Sequence, residues 1–285
     1  SGCDHRCTYC IVPTTRGVER SRPSADIVRE VQDLVQKGYK EVMLLGQNVN
    51  CYGKKLDEGV DFAALLEKVD REAAPARIRF TTSHPKDAHR RLFEVMRDAP
   101  GVCEHLHLPV QSGSSNTLKR MKREHTREWY LDRISEFKQI VPGGTLTTDI
   151  IVGFCGETDK DFMETLSLME EVRFQSSFVF AYSERPGTPA SKLKDDVPES
   201  VKAERLQMVL ELQKRLTFEA NASSVGREVE VLFSRFKDEG APRSIGHTRQ
   251  HQRVVCYGPD SAVGTIRKVK INQVVHETLL GEMTA

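Results

Sequence analysis

The sequence has one tryptophan, 7% aromatics in all, and no run of the roughly 18 apolar residues that a membrane-spanning helix needs. Its first residues, Ser1 to Arg6, are polar and lack the apolar stretch of a secretory leader. A cytoplasmic protein with no membrane partner is expected. A surplus of either charge is missing as well: 42 Lys and Arg stand against 41 Asp and Glu, a net charge of +1. A nucleic-acid partner would therefore have to be met by local basic patches, not by a general positive field. Internal repeats and low-complexity segments are also absent. Cysteines number seven, and they do not spread as a disulfide framework would. Cys3, Cys7 and Cys10 fall within eight positions, while Cys51, Cys103, Cys155 and Cys256 lie far apart. An odd count with one tight cluster suits a reducing compartment and a metal site.

What is present is an ordinary globular composition, 38% hydrophobic and 29% charged, over 285 residues. That length suits one large domain with a small one appended. Apolar strand patterns at Glu41–Gln47, Arg77–His84, His105–Ser112, Leu146–Phe154 and Phe174–Ser183 alternate with amphipathic helix patterns. The helices are expected over Ser24–Lys37, Asp61–Ala73, Asp87–Asp98, Thr126–Ile140 and Glu157–Val172. Ser24 and Thr126 stand where helix N-caps are expected, and Gly38 where a C-terminal cap is expected. This alternation predicts an α/β fold, a parallel sheet with helices outside. A long helix is expected over Pro198–Val225. After Gly226 the pattern turns to short period-2 segments separated by Gly, Pro and Asp, which predicts a small antiparallel β-barrel of OB-like type. Two domains follow, 1–225 and 226–285. The second is expected to be separable: deletion from about Arg227 should leave the chemistry of the first largely intact and weaken RNA binding.

The residues Cys3-Asp4-His5-Arg6-Cys7-Thr8-Tyr9-Cys10 have the spacing C-x3-C-x2-C. Three such thiolates suit three irons of a 4Fe–4S cluster. The fourth iron is left open to the amino and carboxylate groups of S-adenosylmethionine (SAM), whose sulfonium the reduced cluster can cleave to a 5′-deoxyadenosyl radical. Zinc normally takes four ligands, and His5 cannot readily supply the fourth without distorting so short a loop. The reading of a different class is a non-enzymatic, metal-stabilised RNA-binding module, which would show zinc or no metal on analysis.

The cysteine loop, with Ile11–Pro13, Thr15-Arg16-Gly17 and Ser21-Arg22-Pro23-Ser24, resembles the radical SAM methylthiotransferases. So do Leu45–Asn50, Leu108–Ser114, Thr148–Thr158 and Phe180–Pro189. The resemblance covers almost the whole chain and implies a partial (β/α)6 radical SAM barrel followed by an RNA-binding barrel of the TRAM type. The segment Gly46-Gln47-Asn48-Val49-Asn50 is similar to the branch that modifies isopentenyl-adenosine in tRNA. The branches for threonylcarbamoyl-adenosine and for a ribosomal protein typically differ there. One departure is Cys155, where the family usually has proline; a packed or partly exposed free thiol is expected.

The resemblance implies Cys3, Cys7 and Cys10 as cluster ligands and Tyr9 near the SAM adenine. It also places Gln47 at the SAM amino group, Gln111 and Ser112 at the ribose or carboxylate, and Ile150 to Gly153 along the adenine. Expected partners are the tRNA anticodon stem-loop and an electron donor such as flavodoxin or ferredoxin. Arg6, Arg16, Arg20, Arg22 and the run Lys119 to Arg123 are candidates for RNA phosphates. In the small barrel Arg243, Arg249, Arg253, Arg267, Lys268 and Lys270 are further candidates, with Phe233, Phe236 and Tyr257 available to stack on bases or fill the core. The implied reaction uses two SAM molecules, one giving a methyl group to sulfur and the other activating the adenine C2–H bond. Family members carry the cysteine loop after a first barrel strand, and a second 4Fe–4S cluster in an upstream domain. Neither has a counterpart among these residues, so this chain alone is not expected to methylthiolate.

Overall fold

The computed structural model describes residues 1–258 and 261–284. Five parallel strands follow one another: β1 (Glu41–Leu45), β2 (Arg77–Thr81), β3 (His105–His107), β4 (Thr145–Val152) and β5 (Ser176–Ala181). β1 pairs with β2, β3 with β4 and β4 with β5. β2 meets β3 through the irregular bonds of Ile78 with Gly101 and Cys103. The result is an open half-barrel. The outer edge of β1 has no strand beside it among the described residues, and Met43 and Leu45 are exposed there.

Helices cover the outside. They are α1 (Val12–Arg16), α2 (Ser24–Gln36), α3 (Phe62–Ala73), α4 (Arg90–Asp98), α5 (Ser115–Arg120), α6 (Arg127–Ile140), α7 (Asp159–Val172) and the long α8 (Glu199–Ala222). Local chemistry sets their ends. The Thr126 hydroxyl accepts from the Trp129 N–H, as the sequence predicts, and Thr158 with Asp161 closes a reciprocal capping box. Gly38, at a φ of +89°, donates to Val35 while Tyr39 donates to Leu34, which satisfies the last carbonyls of α2. Ser24 is no cap: Pro23 holds that position, and the Ser24 N–H donates to the Glu58 carboxylate instead. The apolar faces of α3, α4 and α6 bury Leu65, Leu66, Val69, Phe93 and Phe137 against the outward residues of the strands in one core.

Two departures have clear causes. The predicted strand His105–Ser112 keeps a regular ladder only to His107. Pro109 has no N–H to donate, and Gln111 turns to a φ of +76°. The helix expected from Asp87 starts three residues later, because a tight turn at Pro85–Asp87 precedes it.

The C-terminal strands β6 (Glu228–Lys237), β7 (Arg243–Thr248), β8 (Arg253–Tyr257), β9 (Ile266–Val275) and β10 (Thr278–Met283) close into a barrel in the order β10-β8-β7-β6-β9. It is not wholly antiparallel: β8 and β10 run parallel. An odd number of strands in a closed ring forces at least one parallel pair. Val231, Phe233, Val254, Val269, Ile271 and Leu279 form its own small core, which removes Phe233 as a base-stacking candidate and leaves Tyr257 exposed.

The small barrel is not a free appendage. Its β7–β8 turn closes the bottom of the half-barrel, at the N-terminal ends of the strands. The fully buried Arg77 donates to the His247 carbonyl at 2.8 Å and to Glu230, and buried Arg79 donates to the carbonyls of Thr248 and Arg249. In return Arg249 grips Glu104, and the Thr145 hydroxyl donates to the Gln250 carbonyl at 2.7 Å. His247 stacks on His251 and His251 on His105, with ring centres 5.0 and 4.7 Å apart.

Candidate cluster and SAM site

At the opposite end, the residues that follow the strands converge on the cysteine loop. Parallel barrels place their sites at this end. The loop is pinned on several sides: Cys3 N–H donates to the Gly17 carbonyl, Thr8 N–H to Met121, and Ala190 N–H to Thr8. Gly2 makes this possible. Its φ is +76°, and a Cβ there would lie 2.1 Å from the Val18 carbonyl oxygen.

A cavity of about 170 Å³ opens beside the loop. Cys3, Cys7, Tyr9, Cys10, Gln47 and Gln111 line it, so six of the nine site residues expected from the sequence come together. Ser112, Ile150 and Gly153 are not among the lining residues. The Ser112 hydroxyl is fully buried against Thr165, Ile150 belongs to the outer core, and a Cβ on Gly153 would meet Lys202 at 2.4 Å. Strand alternation explains Ile150: the inward neighbour is Asp149, which lines the cavity. A lone acid within the apolar strand Leu146–Val152 was the available signal.

Asn48, Thr82, Ser83, His84 and Arg123 also line the cavity, and the sequence pattern points to none of them as site residues. The sequence groups Arg123 with a basic run for RNA phosphates. It is buried instead, donating to the Pro109 carbonyl at 2.7 Å and to the Cys7 sulfur at 3.6 Å. Burial opposes its charge, but Tyr9 and Cys7 beside it more than offset this, and its pKa is raised.

The donor set fits a cluster with SAM beside it. Burial raises the thiols of Cys3 and Cys10 and so disfavours free thiolates, and a metal beside them would reverse that. Five lining residues each carry a buried polar atom without a partner: Asn48 Oδ1, Thr82 Oγ1, Ser83 Oγ, His84 Nε2 and Arg123 Nε. Buried polar atoms are rarely left unpaired in a native fold, so this concentration marks a place for a polar ligand.

His5 also lines the cavity, but its ring nitrogens are already taken. Its ring nitrogens meet Asp87 at 3.1 Å and Glu124 at 3.0 Å. Cys51 joins this group, but the Lys54 ammonium donates to both Cys51 and Asp87 and supplies the positive charge there. Cys155 is the packed thiol expected, among Phe154, Tyr182 and Ala190. The other two cysteines, Cys103 and Cys256, are buried apart.

A parallel half-barrel with a three-thiol loop and a polar cavity at the strand ends defines a SAM-dependent iron–sulfur enzyme class. The sequence signature of the radical SAM superfamily matches residues 1–169, and the chain belongs to that superfamily, which implies a 4Fe–4S cluster and SAM. The chain is also similar to proteins named tRNA-2-methylthio-N(6)-dimethylallyladenosine synthase. It is 49% identical to that of Thermoanaerobacter sp. (strain X514) over 282 residues, 99% of this chain and 60% of the relative. It is 50% identical to that of Bacteroides thetaiotaomicron over 284 residues, again 99% of this chain and 62% of the relative. The chain thus spans about three-fifths of these relatives' length. Among solved structures, coproporphyrinogen III oxidase (HemN) from Escherichia coli matches with a TM-score of 0.55 at 18% identity, over 87% of this chain and 64% of that one. The cobalamin-binding methyltransferase TsrM from Kitasatospora setae matches with a TM-score of 0.55 at 15% identity, over 66% of this chain and 37% of that one. These likenesses bear on the fold. No helix among the described residues is long and apolar enough to cross a membrane.

Proposed function

We propose that this chain is the catalytic core and RNA-binding barrel of a cytoplasmic tRNA methylthiotransferase. The substrate is N6-isopentenyladenosine beside the anticodon, and the group is added at C2. The carrying observation is the near-50% identity, which runs through both the half-barrel and the small barrel. Residues 1–225 bind cluster and SAM, and residues 226–285 hold the RNA.

Cys3, Cys7 and Cys10 hold the cluster, which together with SAM supplies the means to remove the C2 hydrogen. The protein's own residues bind and orient. The unpartnered Arg123 Nε is a donor for a ligand carboxylate, while Gln47 and Gln111 offer amides at the strand ends. Asp149, 3.5 Å from His107, offers a fixed acceptor. Tyr9 packs beside the SAM adenine. The sulfur source is assigned to a second cluster on an upstream segment, and the electron to a donor of the flavodoxin or ferredoxin class.

Nucleoside mass spectrometry of tRNA from cells lacking the full-length protein tests the reading. Isopentenyladenosine should persist without its methylthio group. Loss of methylthiolation on threonylcarbamoyladenosine, or on a ribosomal protein instead, would move the chain to a sister branch. A purified protein holding zinc and no sulfide would make it a binding module.

A further inference from the structure

A second depression, of about 960 Å³, lies on the other side of the cysteine loop. Asp4, His5 and Arg6 of the loop form one wall; Lys119, Lys122, Arg123, His125 and Trp129 face them. His5 and Arg123 also line the SAM cavity, so the two spaces share a wall that includes a residue touching the Cys7 sulfur. No strand-end residue lines this groove, whereas strand ends build the SAM cavity. A base to be modified must reach the strand-end cavity, which leaves the outer groove free for another partner.

Its charge is one-sided. Glu124 is held by Lys86 and His5, and Asp4 by Lys55. The exposed Arg6, Lys119 and Lys122 have no carboxylate partner among the described residues. Both ring nitrogens of His125 are buried and unpartnered, and burial followed by Arg123 brings its pKa down to about 3. From Trp129 a row of rings runs inward. Trp129 and His125 are 6.2 Å apart between centres, His125 and His84 6.0 Å, and His84 stacks on His5 at 4.1 Å. The row starts in the groove and ends at the loop and the cavity wall.

We propose that this groove is the docking face for an acidic protein that carries a single low-potential electron. The inference rests on the radical SAM reading above. The step moves one electron: the carrier is oxidised by one unit, the cluster is reduced by one unit, and no proton or bond changes hands. Uncompensated lysines beside the loop steer an acidic carrier to the shortest approach, as suits the transient encounters of redox partners. RNA phosphates are the competing occupant.

The test is the double variant Lys119→Glu, Lys122→Glu, both residues exposed and clear of the SAM cavity. In the cluster-loaded protein, stopped-flow absorbance follows cluster reduction by reduced flavodoxin, and calorimetry follows flavodoxin binding across a salt series. Reduction by flavodoxin should slow about tenfold, with a shallower salt dependence of binding. Reduction by dithionite should be unchanged. Parental rates and parental salt dependence with flavodoxin would overturn the proposal. So would a variant that loses affinity for tRNA while binding flavodoxin as the parent does, which would give the groove to RNA. The underlying reading fails separately, if dithionite-reduced parent protein does not cleave SAM.

Discussion

The two ends of the half-barrel are built from similar polar residues put to opposite uses. At the bottom Arg77 and Arg79 are buried, yet their guanidinium groups reach carbonyls of the small barrel, and Arg249 answers with Glu104; Arg77 Nε and His251 Nδ1 alone in this seam are left unpaired among the described residues. At the top the half-buried Thr82 and the buried Ser83, His84, Asn48 and Arg123 gather on one cavity, and each keeps a buried atom with nothing to bond. Satisfied polar groups hold two parts of a chain together; unsatisfied ones lower stability and wait for a ligand. The bottom is an interface and the top a site, although composition alone would not separate them.

The largest expected effect follows from cutting that interface. Deleting residues from Arg227 strips partners from two buried guanidinium groups and uncovers the floor of the core, against the expectation of a separable barrel. The truncated chain should unfold at far lower urea than the parent, or fail to fold. A subtler version is Arg77→Met. It fills much of the same space but strands the His247 and Glu230 carbonyls, which should cost about 2–4 kcal/mol, the half-exposed Glu230 carboxylate adding little. The urea midpoint at unchanged slope reads this. A truncated half-barrel with the parental midpoint would show that the interface is decorative.

An intermediate effect comes from the histidines of the same interface. Burial first, then Arg79, His247 and His107, bring the pKa of His251 down to about 4. His105 and His247 shift the same way. In the unfolded chain these imidazoles titrate near 6.5. The unfolded state therefore binds more protons between about pH 4 and 6.5. Stability from the neutral ring is fully present above about 6.5 and is lost as pH falls toward 4. For His251 the loss is on the order of 3 kcal/mol at about 1.4 kcal/mol per unit. His251→Asn, which tolerates the positive φ of 66° at this position, should flatten that slope in denaturation midpoints measured from pH 4 to 7. An unaltered slope would remove the histidine stack from the account of the interface.

How much of this was visible in the sequence differs between the two ends. The strands announced themselves because helices cover their outer faces, which demands apolar residues such as Leu106, Leu146 and Ile150. Cys3, Cys7 and Cys10 were legible because their spacing lies within one loop. The inward residues were harder. The family resemblance points to Ile150 where its neighbour Asp149 faces the cavity, since a one-residue error in alternation moves a side chain to the other face. Arg123 was hidden by its neighbours: in the run Lys119 to Arg123 nothing local marks the one that turns inward. The plug by the β7–β8 turn was invisible, because Arg77 and Arg79 find their partners about 170 residues away, and no local pattern carries that distance.

The smallest expected effect is the sharpest probe of the comparison. Thr82 lies at the top, its backbone bonded to Gly46 and Val49, its hydroxyl buried in the cavity wall without a partner. Thr82→Val keeps the branched shape and removes only that hydroxyl. Because no hydrogen bond is broken in the free protein, stability should change by less than about 0.5 kcal/mol, or rise slightly. Affinity for SAM should nonetheless fall about five- to tenfold, the worth of one hydrogen bond to a ligand. Calorimetric titration of the cluster-loaded protein with SAM, beside a urea melt of the same preparation, gives both numbers. The opposite pattern, a loss of stability like that of Arg77→Met with SAM binding untouched, would mean that the hydroxyl serves the fold. The top of the half-barrel would then be no different in kind from its floor.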